Sequence, residues 1–404
     1  MKKTRNYVKA IGLSMALVMT NAAVLPVAQF PVYAEAYARK TTVENRITFV
    51  GDTMVLDAGK GKVTWSTSNK KLATVTQKGK VKALAAGNVR ITAKTSKSTI
   101  VFKLTIRKAS EKVKITHHFA DVEEGIKCKL SNEKYFNRLT QDDLDFRAQK
   151  KDATLEEFKT FSAAQVKAFT EEEKKFIAKA LKGMETLMNK KGYKIPVKKD
   201  IVFVKTTMAD EGGAMAYTHQ NQIYLHEDFL KAYQGYDLYF QEILCHELFH
   251  CLTRQNKNFK KKMYSVINAQ VMDKEAEFPE EVAKKVLANP DVESFDSYVT
   301  LTINGEKKKC IVFPYYVRGF EKEGDTFFDA NEVKLMPIDD TSKLYSIEEA
   351  TDFWDVFGKN TSYILAIEET MADNFAYAVI YDEEIQKKFP NPEIFKKIQK
   401  KLCE

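Results

Sequence analysis

Residues 243–252 have the sequence ILCHELFHCL, which contains the motif His-Glu-x-x-His. Side chains four residues apart lie on one face of a helix, so His246 and His250 can bind the same metal ion. Glu247 lies about 100° further round the helix than His246 and can reach a water on that metal. The other residues of the stretch are mostly apolar and form the opposite side. The pattern predicts a helix over 238–253 that carries a zinc site with an adjacent general base.

A catalytic zinc ion needs a third protein ligand and one open coordination position. The chain has six histidines and none follows His250, so an acidic residue or an upstream histidine must supply this ligand. Glu369 and Asp373 are the best acidic candidates, because they lie four residues apart in a helix predicted over 364–382. Glu369 would bind zinc, while Asp373 would hold the free N–H of a ligand histidine. Glu368 competes for the ligand role, and the position of Asp373 favours Glu369.

This layout resembles the gluzincin metallopeptidases, the zincins whose third zinc ligand is a glutamate in a later E-x-x-x-D motif. The resemblance covers the two motifs and the elements around them, at residues 200–255 and 360–382. It implies an α+β zincin-like metallopeptidase domain. Glu247 would accept a proton from zinc-bound water and deliver it to the leaving amine. The long separation of the two motifs implies an inserted region at 257–350.

The oxyanion formed during peptide hydrolysis needs a hydrogen-bond donor besides zinc. Tyr363 is the first choice for this catalytic role. Gluzincins such as the lethal-factor-like peptidases place a tyrosine slightly upstream of the ligand glutamate, at similar spacing. Four other residues stay open for the same role: Tyr315, Tyr316, Tyr217 and His219.

Gly212 and Gly213 lead into an alternating stretch at 214–225, which predicts a strand before the zinc-site helix. In zincins, a strand at this chain position forms the upper rim of the cleft. The resemblance implies that an extended substrate pairs with the open edge of this strand through backbone hydrogen bonds. The glycines would let the substrate approach closely. An ordinary hairpin strand is the alternative interpretation.

Residues 40–108 contain short alternating runs rich in Thr, Val, Lys and Ser, separated by glycine-containing turns. This spacing predicts a small all-β sandwich with Trp65 as a large buried anchor. Several runs resemble the bacterial Ig-like domain, group 2; they lie at 65–69, 72–75, 79–83 and 91–93. The resemblance implies a surface or secreted module used as a spacer or for adhesion, with contacts at the cell surface or cell wall.

The first 34 residues have the pattern of a secretory signal peptide. A basic start is followed by an apolar stretch from residue 10 to about 27, and residues 32–34 place small side chains at a cleavage site. A membrane anchor is the alternative interpretation. No other run approaches 18 apolar residues, so we expect no transmembrane helix after signal removal.

Composition narrows the class of protein. The 404 residues carry 64 basic and 55 acidic side chains, a formal net charge of +9, and 44% of them are hydrophobic. The ordinary apolar fraction excludes bulk disorder. Part of the positive charge belongs to the predicted signal, and the modest remainder does not indicate a nucleic-acid partner.

The sequence therefore predicts a multidomain chain with a signal peptide at 1–34, an Ig-like sandwich at 40–108 and a zincin-like metallopeptidase domain at 109–404. The predicted activity is that of a secreted zinc metalloendopeptidase, with extracellular proteins or peptides as substrates. Two alternatives stay open. One is a non-catalytic surface-binding protein on a zincin-like scaffold, and the other is a zinc hydrolase of cell-wall amide bonds.

Overall fold

In a computed structural model of the protein, residues 40–404 are described, and the signal peptide predicted at 1–34 lies outside them. The chain forms a β-rich N-terminal region and then a mixed region of helices and sheets. No helix within residues 40–404 combines the length and the apolar character that crossing a bilayer requires.

The N-terminal region contains seven strands in two sheets. They are β1 (Lys40–Phe49), β2 (Thr53–Val55), β3 (Thr64–Thr67), β4 (Ala73–Val75), β5 (Lys80–Ala83), β6 (Gly87–Lys94) and β7 (Ser98–Arg107). One sheet has the order β1-β7-β6-β3, and the other has the order β2-β5-β4. The β-rich Ig-like region predicted from the sequence is therefore present.

The core of this region follows from the alternation along its strands. In β6, every second side chain is buried, starting at Val89, while Arg90 between the buried positions is exposed. Trp65 on β3 is only 7% exposed, and its ring stacks on Phe102 of β7 with 6.0 Å between centroids. The predicted role of Trp65 as a buried anchor is confirmed.

Gly79 is required where the β4–β5 turn passes beneath Trp65. Its φ angle is +75°, in the left-handed region that favours glycine. A Cβ atom at this position would lie 2.5 Å from the carbonyl oxygen of Leu56 and 2.8 Å from the Trp65 ring. The turn therefore has no space for any other side chain.

We expect Gly79→Ala to destabilise the Ig-like region more than Gly59→Ala does. Gly59 also has a positive φ, of +84°, but a methyl group added there would have no atom within 4 Å. Both substitutions should cost about 1–2 kcal/mol of unfolding free energy for the backbone conformation. Gly79→Ala should add about 1–3 kcal/mol from overpacking. Urea unfolding followed by tryptophan fluorescence measures both when Trp354 is replaced by Phe in every variant, so that Trp65 is the reporter. Equal losses would contradict the steric argument.

The mixed region contains ten strands and thirteen helices among the described residues. The strands are β8 (His117–Phe119), β9 (Val166–Lys167), β10 (Ile201–Thr206), β11 (Ala216–His219), β12 (Gln222–His226), β13 (Gln270–Val271), β14 (Ser297–Ile303), β15 (Glu306–Tyr316), β16 (Asn331–Pro337) and β17 (Tyr345–Ser346). The helices are α1 (Val122–Leu130), α2 (Glu133–Phe136), α3 (Gln141–Ala148), α4 (Leu155–Ala164), α5 (Glu171–Lys191), α6 (Glu227–Ala232), α7 (Asp237–Gln255), α8 (Lys257–Tyr264), α9 (Glu280–Ala283), α10 (Phe353–Phe357), α11 (Ile367–Ile380), α12 (Glu383–Gln386) and α13 (Pro392–Cys403).

Two sheets organise this region. The first has the order β11-β12-β10-β8, with β9 also paired to β10. Strand β10 runs parallel to β8 and β12, whereas β11 is antiparallel to β12 and forms an edge of the sheet. The second sheet has the order β13-β14-β15-β16-β17 and is antiparallel throughout. It lies within residues 257–350, between the two predicted zinc motifs.

The single strand predicted over 214–225 is wrong in detail, because the stretch is a hairpin of β11 and β12. Gln220 has a φ angle of +49° and reverses the chain together with Asn221. The turn lacks glycine and proline, but it lies in a run of five polar residues at 218–222 that includes Asn221. This run was the local signal for the reversal, and the single-strand prediction missed it.

Helices α7 and α11 pack directly against each other at the centre of the main core. Apolar side chains of α7, including Phe240, Leu244 and Leu248, are fully buried there. Helix α5, which has a capping box between Thr170 and Glu173, packs against both of them. These helices fix the position of the His-Glu-x-x-His motif within the core.

The Ig-like region also contacts the mixed region. Arg107, at the end of β7, donates from Nη1 to the carbonyl oxygen of Gly192 at 2.6 Å, just past the end of α5. The side chain of Ile47 packs against the same glycine. The two regions are therefore in contact at the end of the longest helix, and residues 41–404 form one compact unit.

Candidate metal centre

The predicted site residues lie on two packed helices. His246, Glu247 and His250 are on α7, and Glu369 and Asp373 are on α11. His246 and His250 are four residues apart, and so are Glu369 and Asp373. Each pair therefore lies on the face of its helix that meets the other helix. Residues separated by more than a hundred positions in the chain are thereby brought together.

Both histidine rings are held at Nδ1 by carboxylates of α11. His246 Nδ1 lies 2.7 Å from Asp373 Oδ1, and His250 Nδ1 lies 3.2 Å from Glu368 Oε1. A proton on Nδ1 that is shared with a carboxylate leaves Nε2 as the free lone pair. The two Nε2 atoms are thus the ligand atoms that the rings present.

Both Nε2 atoms face the same oxygen of Glu369. Oε2 of Glu369 lies 3.2 Å from His246 Nε2 and 3.4 Å from His250 Nε2. The potential ligand atoms of the three residues all lie within 4.8 Å of one another. This is the arrangement of donors that a zinc ion with two imidazoles and one carboxylate uses.

Two buried polar atoms at this centre have no hydrogen-bond partner among residues 40–404, namely His250 Nε2 and Glu247 Oε2. An unpaired polar atom in a protein interior is costly, so each such atom needs an explanation. A metal ion near His250 and a water near Glu247 would satisfy both. The residues present therefore fit a zinc ion.

The electrostatics favour a cation at this position. Burial lowers the pKa of His246, but the hydrogen bonds to Asp373 and Glu369 outweigh it and raise the pKa well above its usual value. Burial likewise opposes the charged form of Glu369, yet its two imidazole neighbours lower the pKa of this carboxyl. The surroundings of Glu369 thus favour positive charge, and a divalent cation would supply that charge.

Glu368 is engaged in a different way from Glu369. Its Oε1 accepts a hydrogen bond from Thr253 Oγ1 at 2.6 Å, and its other oxygen accepts one from the hydroxyl of Tyr264. With His250 Nδ1 as a further partner, both oxygens of Glu368 are occupied. The geometry gives Glu368 the task of orienting His250, and Glu369 is the carboxylate aimed at both Nε2 atoms.

Glu247 is buried on the same side of α7 as the two histidines. Burial, followed by the negative charge of Asp291, raises the pKa of Glu247 to about 8. A divalent cation nearby would shift this pKa back down and favour the carboxylate that a general base requires.

Tyr363 flanks the centre, with its ring 6.3 Å from the His246 ring between centroids. It is 39% exposed and lies in the segment that precedes α11. The other four candidates have different surroundings. Tyr217 stacks on Tyr224 and His219 packs edge-on against both rings.

The remaining two tyrosines lie on β15. Tyr316 is buried and donates a hydrogen bond to Asp143 at 2.9 Å, and Tyr315 packs against Phe313. Of the five candidates for oxyanion stabilisation, Tyr363 is the one packed against a predicted zinc ligand. Its catalytic role stays a prediction.

Three residues at the centre were not predicted from the sequence. Thr361 donates to Asp373 Oδ2, and Asn289 donates to Glu369 Oε1. Asp291 lies close enough to Glu247 and His250 for the ligand atoms of all three to fall within 4.8 Å of one another. Around Asn289 and Asp291, the only local sequence signal is the turn-forming dipeptide Asn-Pro at 289–290, and this dipeptide does not indicate a metal site.

Comparison with known families identifies the first region. Residues 40–105 match the family model of the bacterial Ig-like domain, group 2. This range contains β1 to β6 and most of β7, so the predicted Ig-like domain is confirmed. Domains of this kind are typical of extracellular proteins. The chain has no match among curated proteins.

The two neighbouring glutamates of α11 can be separated experimentally. We expect Glu369→Gln to lower zinc affinity by more than about 100-fold, because it removes a ligand, and Glu368→Gln to lower it by about 10- to 100-fold, as for partners of ligand residues. Competition with a chromogenic chelator measures both. His118→Ala is the control, since this exposed histidine bonds Asp200 and Glu124. A larger loss in Glu368→Gln would reverse the assignment.

Proposed function

We propose that the chain is a secreted zinc metallopeptidase in which a zincin-like α+β domain at 109–404 follows the Ig-like domain. Zinc would be held by His246, His250 and Glu369, with Asp373 orienting His246. The substrate class is extracellular protein or peptide. The observation that carries this proposal is the convergence of two oriented Nε2 atoms on Glu369, beside the unpaired carboxylate oxygen of Glu247.

Zinc at these ligands supplies a Lewis acid that lowers the pKa of water toward neutrality and polarises a peptide carbonyl. Glu247 then acts as the general base. Its free Oε2 accepts the proton of the attacking water and delivers that proton to the nitrogen of the leaving amine. The peptide C–N bond breaks, and a carboxylate and an amine are formed.

Orientation of the ligands is the contribution of α11. Asp373 and Glu368 each hold one imidazole at Nδ1, so neither ring has to reorganise when substrate arrives. Thr361 and Tyr264 in turn hold these two carboxylates. Such preorganisation keeps both Nε2 atoms in place through the reaction.

A secreted location is supported by two features of the chain. The Ig-like match at 40–105 is of a kind typical of extracellular proteins, and the first 34 residues have the pattern of a signal peptide. The Ig-like domain would then serve as a spacer or attach the peptidase near the cell surface. A substrate outside the cell follows from that location.

We expect Glu247→Gln to retain zinc and to lose peptide hydrolysis by about 10²- to 10⁴-fold, because only the proton acceptor is removed. Zinc content by mass spectrometry and cleavage of casein measure the two effects. Asp237→Asn is the matched control, since Asp237 begins the same helix and pairs with Lys179 at the surface.

Equal cleavage by wild type and Glu247→Gln would overturn the mechanism. Bound zinc with no cleavage of casein or of a peptide library by the wild type would favour the non-catalytic surface-binding alternative. Cleavage of cell-wall peptide amides alone would favour the third alternative, a cell-wall hydrolase.

Tyr363→Phe should lower kcat by about 10- to 10³-fold with little change in KM, because a donor to the oxyanion acts mainly in the transition state. Zinc content should not change. Tyr236→Phe, at another exposed tyrosine far along the chain from α11, is the control. A loss confined to KM would show that Tyr363 contacts the substrate without stabilising the oxyanion.

A further inference from the structure

Residues 286–292 are buried although most of them lie outside helices and strands. Irregular segments normally run over the surface, because their backbone polar groups need partners. This segment instead passes between the metal centre and the edge strand β11. Its contacts on both sides indicate what it does there.

On one side, the segment occupies the free edge of β11. Asp291 Oδ1 accepts hydrogen bonds from the backbone N–H of Thr218 at 2.7 Å and from its hydroxyl at 2.6 Å. Two residues further along, the N–H of Gln220 donates to Glu293 Oε1 at 3.0 Å. Gln220 lies in the turn just after β11. Asp291 therefore occupies a backbone donor of the edge strand that an added strand would use, and Glu293 holds the adjoining turn.

On the other side, the segment reaches the metal centre. Asn289 donates from Nδ2 to Oε1 of Glu369, the oxygen not directed at the histidines. The carboxylate of Asp291 lies within 4.8 Å of the ligand atoms of His250 and Glu247. His250 therefore belongs to two sets of potential metal ligands. One contains His246 and Glu369, and the other contains Glu247 and Asp291.

The segment is fastened by the helix that carries the zinc motif. Arg254, near the end of α7, donates from Nη2 to the carbonyl oxygens of Pro290 at 3.0 Å and Asp291 at 2.8 Å. Its Nη1 donates to Thr218 Oγ1 at 2.6 Å. One buried guanidinium therefore ties the segment both to the helix and to the edge strand.

We propose that residues 288–293 are an internal occupant of the substrate cleft, with the Asp291 carboxylate placed beside His250, where it can ligate the zinc ion. This inference rests on the proposed peptidase function. An extended peptide cannot use the Thr218 amide of β11 while Asp291 holds it. The enzyme is therefore autoinhibited, and hydrolysis requires this segment to move.

Space for that movement exists beside the segment. A cavity of about 690 Å³ is lined by Asn289, Pro290 and Val292 together with residues of α2 and the first residue of α3. A tightly filled interior would resist such a shift, because cores are close-packed. The cavity lets the segment withdraw from the centre without unfolding the helices beneath it.

The test uses acetohydroxamate, a small zinc chelator that binds at an open coordination position. The full-length zinc-loaded protein is titrated with it by calorimetry, for wild type and for Asp291→Asn. Asparagine keeps an oxygen to accept from Thr218 and is a much poorer zinc ligand. If the segment closes the site nine-tenths of the time, the apparent affinity of the wild type is about tenfold below that of an open site. We expect Asp291→Asn to bind acetohydroxamate more tightly, by up to about tenfold for that population.

Casein hydrolysis by Asp291→Asn should also rise above that of the wild type. Asp273→Asn is the matched control, because the Asp273 carboxylate lies in the same inserted region and is 94% exposed. Equal or weaker binding of acetohydroxamate by Asp291→Asn would overturn the inference, whatever its hydrolysis rate. Absence of zinc from the wild type would overturn the proposed function instead, so the two failures are distinguishable.

A second variant covers the case in which Asp291→Asn does not fold, as judged by thermal unfolding. Glu293→Ala removes the partner of the Gln220 amide and an ion pair with Arg254 Nε at 3.2 Å. The hydrogen bonds of Asp291 to Thr218 are not among the contacts it removes. We expect tighter acetohydroxamate binding and faster casein hydrolysis here too, by several-fold. Unchanged values in both measurements would overturn the inference.

Discussion

An excess of buried negative charge is the constraint on which the candidate centre depends. Two imidazoles are surrounded by five carboxylates, those of Glu247, Asp291, Glu368, Glu369 and Asp373. Buried charges are tolerated when they are paired or bind a metal. Protonated histidines could balance two of the five. Burial first, and then the negative charge of Asp291, raise the pKa of Glu247 to about 8. A divalent cation held by three of these residues is the arrangement that relieves the excess of negative charge.

The same contacts join the two central helices. His246 and Asp373 are 127 positions apart in the chain, and His250 and Glu368 are 118 apart. Between these residues the chain leaves the core, forms the antiparallel sheet and returns. An apolar contact adds to these hydrogen bonds. Phe249 on α7 packs against Phe375 on α11, with 5.1 Å between ring centroids. Packing sets the distance between the helices, and the carboxylates then set the orientation of each imidazole.

The features that could be predicted from the sequence are those in which residues recur at a fixed spacing along the chain. The four-residue spacings of His246 to His250 and of Glu369 to Asp373 correspond to one helical face, so both pairs could be found without a structure. The preference for Glu369 over Glu368 followed from the same rule. The strands of the Ig-like region were also predicted well, because alternation and glycine turns recur at short intervals there.

Other features depend on contacts between distant segments, which no local pattern encodes. Asn289 and Asp291 reach the centre from an irregular segment whose position is set by Arg254, more than thirty residues upstream. In sequence, their surroundings resemble an ordinary turn. Tertiary hydrogen bonds to α7 and β11 are what place them.

Asp291 connects the candidate metal centre to the edge strand β11 through one side chain. Its Oδ1 holds the Thr218 amide of β11, while the same carboxylate belongs to the donor set around His250. In the proposed autoinhibited state, metal binding and closure of the cleft are therefore coupled, and such coupling is reciprocal. A bound ion stabilises the closed segment, and withdrawal of the segment weakens the hold on the ion by the same free energy. Because His246, His250 and Glu369 would hold the proposed ion without Asp291, the segment could leave while the metal remains.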